Sequence, residues 1–162
     1  MTLSPGSKAD ALRAALKESF PSQPITRTML EERSAGWEDY KAGDLVQQLE
    51  GRSWAELEPA FIELHHSALR YAGHQAFGAL LPAYLRHLLD HPAFNDIPFV
   101  VAAELKRYGD PTMVRIFDAR IERLTAAQRA VVKRIIEFLT TREPMQAAMS
   151  AAFESYWRSH KA

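Results

Sequence analysis

This sequence predicts an all-α fold in a single domain, and three observations carry the prediction. Helix start and stop signals recur along nearly the whole chain, from Ser7 to an apolar stripe that ends at Tyr156. Strand signals are nearly absent: β-branched pairs such as Val100 and Val101 lie inside helical spacing, and no Asn-Gly or Asp-Gly hairpin turn occurs. The chain has 162 residues, 47% of them hydrophobic, with no internal repeat, low-complexity tract or dividing linker. That is one domain's worth of core. The expected architecture is an irregular bundle of six to eight helices over residues 1–162, with residues 1–25 forming a peripheral N-terminal helix.

The elements follow in order. Ala11, Leu12, Ala15, Leu16 and Phe20 recur at helical spacing after Ser7, and Pro21 and Pro24 stop that helix. The stretch from Thr26 to Gly51 is acidic, less periodic and interrupted by Gly36 and Gly43. Ser53 and Glu56 form an S-x-x-E capping box, yet Pro59 sits where a continuing helix would lose a hydrogen bond. A short turn at Trp54 to Leu57 therefore precedes a helix opened by Pro59 and running to Ala72, where Gly73 ends it. By the same logic Phe77 to Leu81 forms a brief turn, Pro82 opens a helix and Pro92 closes it. Asp96 caps a helix from Ile97 to Tyr108, and Asp110 with Pro111 starts another from Thr112 to Leu124. Thr125 and Gln128 make a T-x-x-Q capping box before a helix whose wide apolar face, Val131 to Leu139, predicts a central position. Pro144 opens the last helix, with Met145, Met149, Phe153 and Tyr156 in one stripe and Trp157 off it, partly exposed.

Composition excludes several chemistries. With no cysteine there are no disulfides, thiolate metal sites or thiol nucleophiles, which suits a reducing compartment. No apolar run approaches a membrane span, and Lys8, Asp10, Arg13, Lys17 and Glu18 occupy positions where a signal peptide needs apolar residues. A cytoplasmic protein is expected. The sequence carries no G-x-S-x-G, no G-x-x-x-x-G-K-[ST], no G-x-G-x-x-G and no H-E-x-x-H. Carboxylate pairs such as Glu56 with Glu58 read as solvated helix faces rather than an acid–base couple.

Histidines form the sharpest constellation, with His65, His66, His74, His87 and His91 in the middle of the chain. His87 and His91, four apart, present two imidazoles on one helix face, and Glu63 with His66 has the E-x-x-H spacing of carboxylate-bridged bundles. A single divalent ion, zinc, iron or nickel, would need His87, His91 and one of His65, His66 or Asp90 to converge, with Glu63 as base. A di-iron centre is excluded because no second E-x-x-H exists. The same residues also suit a structural role: His91 precedes Pro92 at a helix C-terminus, where the dipole favours a cation.

Charge sums to zero but is segregated. Residues 1–103 carry nine basic against thirteen acidic side chains, and residues 104–142 nine against five. The basic stretch includes Lys106, Arg107, Arg115, Arg120, Arg123, Arg129, Lys133 and Arg134. Overall neutrality and the absence of a recognition helix argue against nucleic acid as partner. Trp37, Tyr40 and Trp54 read first as packing aromatics and second as partner anchors.

Three motifs, Trp54-Ala55-Glu56-Leu57, Leu81-Pro82-Ala83-Tyr84 and Leu124-Thr125-Ala126-Ala127-Gln128-Arg129, resemble those of an uncharacterised family of small bacterial all-helical proteins with W-x-E-L, L-P-A-Y and L-T-x-x-Q-R motifs. The resemblance spans roughly residues 37–140. It departs from the family in the placement of Pro59, and it implies a helical fold and a bacterial source without an activity. The resulting expectation is a non-enzymatic protein that binds another protein, as an immunity or regulatory factor, through Glu31, Glu32, Glu38 and Asp39, and with no cofactor. The alternative is a metal-dependent helical-bundle enzyme built on His66, His87, His91 and Glu63.

Overall fold

The computed structural model describes residues 5–32, 42–91 and 96–160, and among these it holds ten α-helices and no strand. In chain order they are α1 (Pro5–Ser19), α2 (Arg27–Glu31), α3 (Ala42–Leu49), α4 (Pro59–Leu64), α5 (Ala68–Tyr71), α6 (His74–Asp90), α7 (Ile97–Glu104), α8 (Pro111–Glu122), α9 (Ala126–Leu139) and α10 (Gln146–Ala152). A 3₁₀ turn occupies Trp54–Glu56, and a π turn, Phe153–Trp157, follows α10 directly. The fold is all-α. Trp37, Tyr40, Glu38 and Asp39 lie outside the described residues.

The centre of the bundle is α6, not α9: α6 packs against α1, α2, α4, α5, α7, α8 and the 3₁₀ turn. Pro82 was expected to open this helix and instead lies inside it, fully enclosed. A proline in a helix interior costs about 3 kcal/mol through its missing N–H and its ring clash with the carbonyl four residues back. Against that, Leu80, Leu81, Leu85 and Leu88 are each 0% exposed, and each such burial stabilises by roughly 1.5–3 kcal/mol. One continuous cylinder through the core therefore outweighs the local rule.

The helix expected from Pro59 to Ala72 is broken at 65–67 into α4 and α5. At the break the His65 carbonyl accepts from the Ala68 N–H at 3.0 Å, a turn tighter than the α-helix, and from the Tyr84 hydroxyl at 2.5 Å. Gly73 then serves as the N-cap of α6, and only glycine fits there, because a Cβ would lie 2.2 Å from the Glu32 carbonyl oxygen. Helix α7 stops at Glu104, short of Tyr108, because tertiary partners take the following backbone: Trp157 Nε1–H donates to the Leu105 carbonyl, and the Arg107 N–H donates to Ser155 Oγ. Asp96 occupies the N-cap of α7, but its αR backbone gives no side-chain cap bond. The two strongest caps are present: Asp110 accepts from the Thr112 and Met113 N–H groups, and Thr125 and Gln128 form their reciprocal pair. The last helix starts at Gln146, two residues beyond Pro144. Helix α1 packs against α9 and α6, and Leu12, Leu16 and the following Phe20 are buried, so this segment belongs to the core.

Much of the basic stretch is absorbed into the fold. Arg120 on α8 is 4% exposed; it donates to Glu104 at 2.7 Å and to the carbonyls of Arg70 and Ala72, and its guanidinium lies over the Phe77 ring. Arg107 pairs bidentately with Asp118 at 2.9 Å, Arg129 donates to the Ile121 and Leu124 carbonyls, and Lys133 reaches the His160 carbonyl. Such side chains satisfy carbonyls that a helix end leaves unpaired.

Candidate functional site

The histidine constellation comes together only in part. His87 on α6 is 3% exposed with both ring nitrogens unpartnered, and the ring of His91, the C-cap of α6, lies 4.9 Å away. Burial, then the like charge of His91, pulls the His87 pKa below its ordinary value, while Glu63 and Asp90 act in the opposite direction. Glu63 is therefore within electrostatic reach of His87, but its side chain is exposed on α4. His66 is also exposed and turns Nδ1 to the Glu63 carbonyl at 3.4 Å. His65 packs on Phe61 and meets Gln48 at 3.2 Å. Among the described residues no three His, Asp or Glu side chains converge on a point where an ion could sit.

The acidic candidates divide differently. Glu31 is exposed and 3.8 Å from Arg27, one turn away. Glu32 is tied into the fold: its Oε2 accepts from the Gln75 N–H at 2.9 Å and its Oε1 lies 3.9 Å from Arg123. A carboxylate on the first turn of α6 complements the helix dipole. Its role is to cap the central helix. Glu38 and Asp39 lie outside the described residues.

The most developed concavity lies elsewhere, on both sides of Trp54 and Phe20. One groove of about 360 Å³ runs between these residues and Pro24, Met29, His74, Gln75, Arg123 and Gln128. A second, of about 430 Å³, runs between them and Arg13, Leu16, Lys17, Ser22 and Arg86. The shared wall is fixed by sequence-local chemistry. Glu56 accepts from the N–H and hydroxyl of Ser53 at 2.7 and 2.9 Å, which tightens the 3₁₀ turn and presents Trp54. These two bonds, backbone first, hold the Glu56 carboxyl below the usual carboxylate range. Trp54 Nε1–H donates to the Phe20 carbonyl at 2.9 Å, closing the exposed end of α1 against the turn.

The electrostatics of this wall are one-sided among the described residues, where no Asp or Glu lines either groove. Arg13 is neutralised by Asp10 and Asp90, each at 2.6 Å. Among the described residues Arg86 bonds to carbonyls, those of Ala55, Trp54 and Leu57, with its guanidinium 5.4 Å from the Trp54 ring centroid. Among the described residues Lys17 is exposed and makes no ion pair, Arg123 has only the distant Glu32 carboxylate, and His74 Nδ1 is enclosed without a partner. Positive charge beside aromatic surface is what these grooves offer. Among the residues that build them, sequence reading singled out Trp54, Arg123 and Phe20 but not their convergence. Lys17 and Arg86 come from helices far apart in the chain, and no local motif joins them.

The described residues contain no helix long and apolar enough to cross a membrane. Compared with protein-family models, curated proteins and solved structures, the chain matches none of them.

Proposed function

We propose that the protein is a non-enzymatic helical binding protein, regulatory or immunity-like, that works in the bacterial cytoplasm and docks an acidic, partly apolar segment of a partner protein across Trp54 and Phe20. The observation that carries this reading is the pair of adjoining grooves whose linings, among the described residues, contain Lys17, Arg86, Arg123 and aromatic surface but no carboxylate. Complementary charge steers such an encounter, and an aromatic anchor supplies the contact that persists once water is displaced. The direction of complementarity is opposite to an acidic face meeting a basic partner, since Glu32 is engaged in capping α6. The motifs that resemble the small bacterial family fit a non-catalytic reading. One is the 3₁₀ turn at Trp54, one is the interior of α6, and one is the capping box of α9.

The test is capture from native cell extract with the wild-type protein, with Lys17→Glu combined with Arg123→Glu, and with Glu31→Lys. The expected result is one protein captured by wild type and Glu31→Lys and lost with the groove reversal. An acidic segment of that protein, as a synthetic peptide, should shift the Trp54 indole resonance. Equal capture by a folded groove-reversal variant would overturn the reading.

A further inference from the structure

A smaller cavity, separate from the grooves, lies where α8, α9 and the π turn meet. It measures about 280 Å³ and is lined by Asp118, Ile121, Glu122, Arg129, Tyr156 and His160. At roughly 30 Å³ per water-sized volume, it has room for on the order of ten non-hydrogen atoms. Two polar groups of its lining are left unsatisfied by the protein: Arg129 Nε and His160 Nε2 are enclosed and have no hydrogen-bond partner. Unsatisfied buried donors are uncommon in folded proteins and mark places where another molecule completes the bonding.

The donors are set by neighbouring residues. Arg129 spends Nη1 on the carbonyls of Ile121 and Leu124, which fixes the guanidinium against the C-terminus of α8 and leaves its charge without a carboxylate partner. The Tyr156 hydroxyl meets His160 Nδ1 at 3.0 Å, with the two rings stacked. The protonated Tyr156 phenol is assigned as donor to Nδ1, the tautomer that places the imidazole proton toward the cavity. The neutral imidazole then carries its own proton on Nε2. Arg129 Nε–H and His160 Nε2–H thus belong to residues lining one cavity and are two donors without a partner among the described residues. The acids divide in a complementary way, for Asp118 is consumed by its bidentate pair with Arg107, whereas Glu122 is exposed and makes no ion pair among the described residues. The cavity therefore combines an uncompensated cation with a second N–H donor, one free carboxylate, and the apolar surface of Ile121 and Tyr156.

The geometry points to a binding site for a free α-amino acid, its carboxylate on Arg129 and His160 and its ammonium on Glu122. A carboxylate lacking the ammonium gains only half of this set, and an amine lacking the carboxylate leaves both buried donors unpaired.

The experiment is a titration of the untagged full chain, followed by ¹H–¹⁵N NMR and by thermal unfolding, with each of the twenty common amino acids and with acetate and methylamine as separate halves. At least one amino acid should shift the Arg129, Tyr156 and His160 resonances in a saturable way and raise Tm, since a ligand bound only by the folded state must stabilise it. Acetate should bind more weakly and methylamine not at all at the same millimolar concentration. Glu122→Gln, a change at an exposed position, should weaken the amino acid about tenfold and leave acetate unchanged. His160→Ala should weaken both, and His160→Gln, which restores an N–H donor, should recover part of the loss. The proposal is overturned if no amino acid shifts these resonances, if acetate binds as well as every amino acid, or if Glu122→Gln leaves amino-acid affinity unaltered.

Discussion

Trp54 and Trp157 use the same device in two regions of the molecule, and the difference between them separates a surface that can bind from one that is sealed. Each indole N–H donates to a carbonyl just past a helix end, Phe20 after α1 at 2.9 Å and Leu105 after α7 at 2.8 Å. Trp54 rides on an over-tight 3₁₀ turn, keeps one side toward the two grooves, and has Arg86 over its ring. Trp157 rides on a π turn, is 0% exposed, and has Tyr156 edge-on at 5.2 Å. The hydrogen bond is common to both, so what differs is the turn that carries the ring. A tight turn leaves the ring as a wall, and a wide turn inserts it among α7, α9 and α10.

The largest expected effect follows from that contrast. Trp157→Ala should cost about 4–5 kcal/mol and Trp54→Ala about 3–4 kcal/mol, because Trp54, 6% exposed against 0% for Trp157, borders the grooves and leaves a cavity that opens to them. Denaturant unfolding of both variants measures the gap. The Trp→Phe pair keeps a ring and removes only the N–H, leaving a buried carbonyl without its donor at either position, Phe20 or Leu105, at about 1–3 kcal/mol each, so the gap between the two alanine variants is the one that measures the contrast. Equal losses in the two alanine variants would mean that the two regions are energetically alike.

The same contrast explains what was legible in the sequence. The Trp54 turn is readable because its cause is local, Ser53 and Glu56 three residues apart with Pro59 just beyond. The burial of Trp157 is not, since the stripe of Met149, Phe153 and Tyr156 assumes helical periodicity throughout. The π turn, closed by the Arg158 N–H on the Phe153 carbonyl, adds a residue to one turn and brings Trp157 inward to full burial. Pro82 differs in the other direction: the local rule is sound, and the burial of most of the surface of α6 outweighs it. The site divides likewise. His87 and His91 were placed together correctly by their spacing within one helix, while the grooves join Lys17, Trp54 and Arg86, whose meeting depends on helix crossings that no single segment encodes.

A smaller effect comes from the serine beneath each tryptophan. Ser155 accepts from the Arg107 N–H at 3.0 Å and donates to the Ala152 carbonyl at 2.7 Å. Ser53 joins Ser22 and Glu56, and in its absence the Ser53 backbone bond to Glu56 can persist. Ser155→Ala should therefore cost about 1–3 kcal/mol, the range for an orphaned partly buried N–H. Ser53→Ala should cost about 1 kcal/mol, as for loss of an ordinary cap. Thermal unfolding of the two single variants checks the order, and a larger loss at Ser53 would reverse it.

The smallest effect is one of pH, and it separates the two regions by the range in which each loosens. His160, stacked on Tyr156 beside Trp157, has its pKa lowered first by burial and then by Arg129 and Lys133. An imidazole that is harder to protonate when folded contributes stability in full above its unfolded pKa of about 6.5. That contribution falls as pH drops below this value toward the folded one, because the unfolded chain then binds more protons. His87 shifts in the same direction and adds a share that is not local to either tryptophan. Glu56 is different: its folded pKa is lowered by the Ser53 N–H and hydroxyl, so its contribution is complete above the usual carboxylate value near 4.3 and is lost only as pH falls through the lower folded value. Acidification from neutrality should thus loosen the Trp157 indole N–H, read by hydrogen exchange, below about pH 6.5, while the Trp54 indole keeps its protection until about pH 4. His160→Phe should remove the early change at Trp157 and leave the later one at Trp54 in place. If both indoles lose protection over the same pH range in the wild type and in His160→Phe, the two turns open as one unit and the local account of each is wrong.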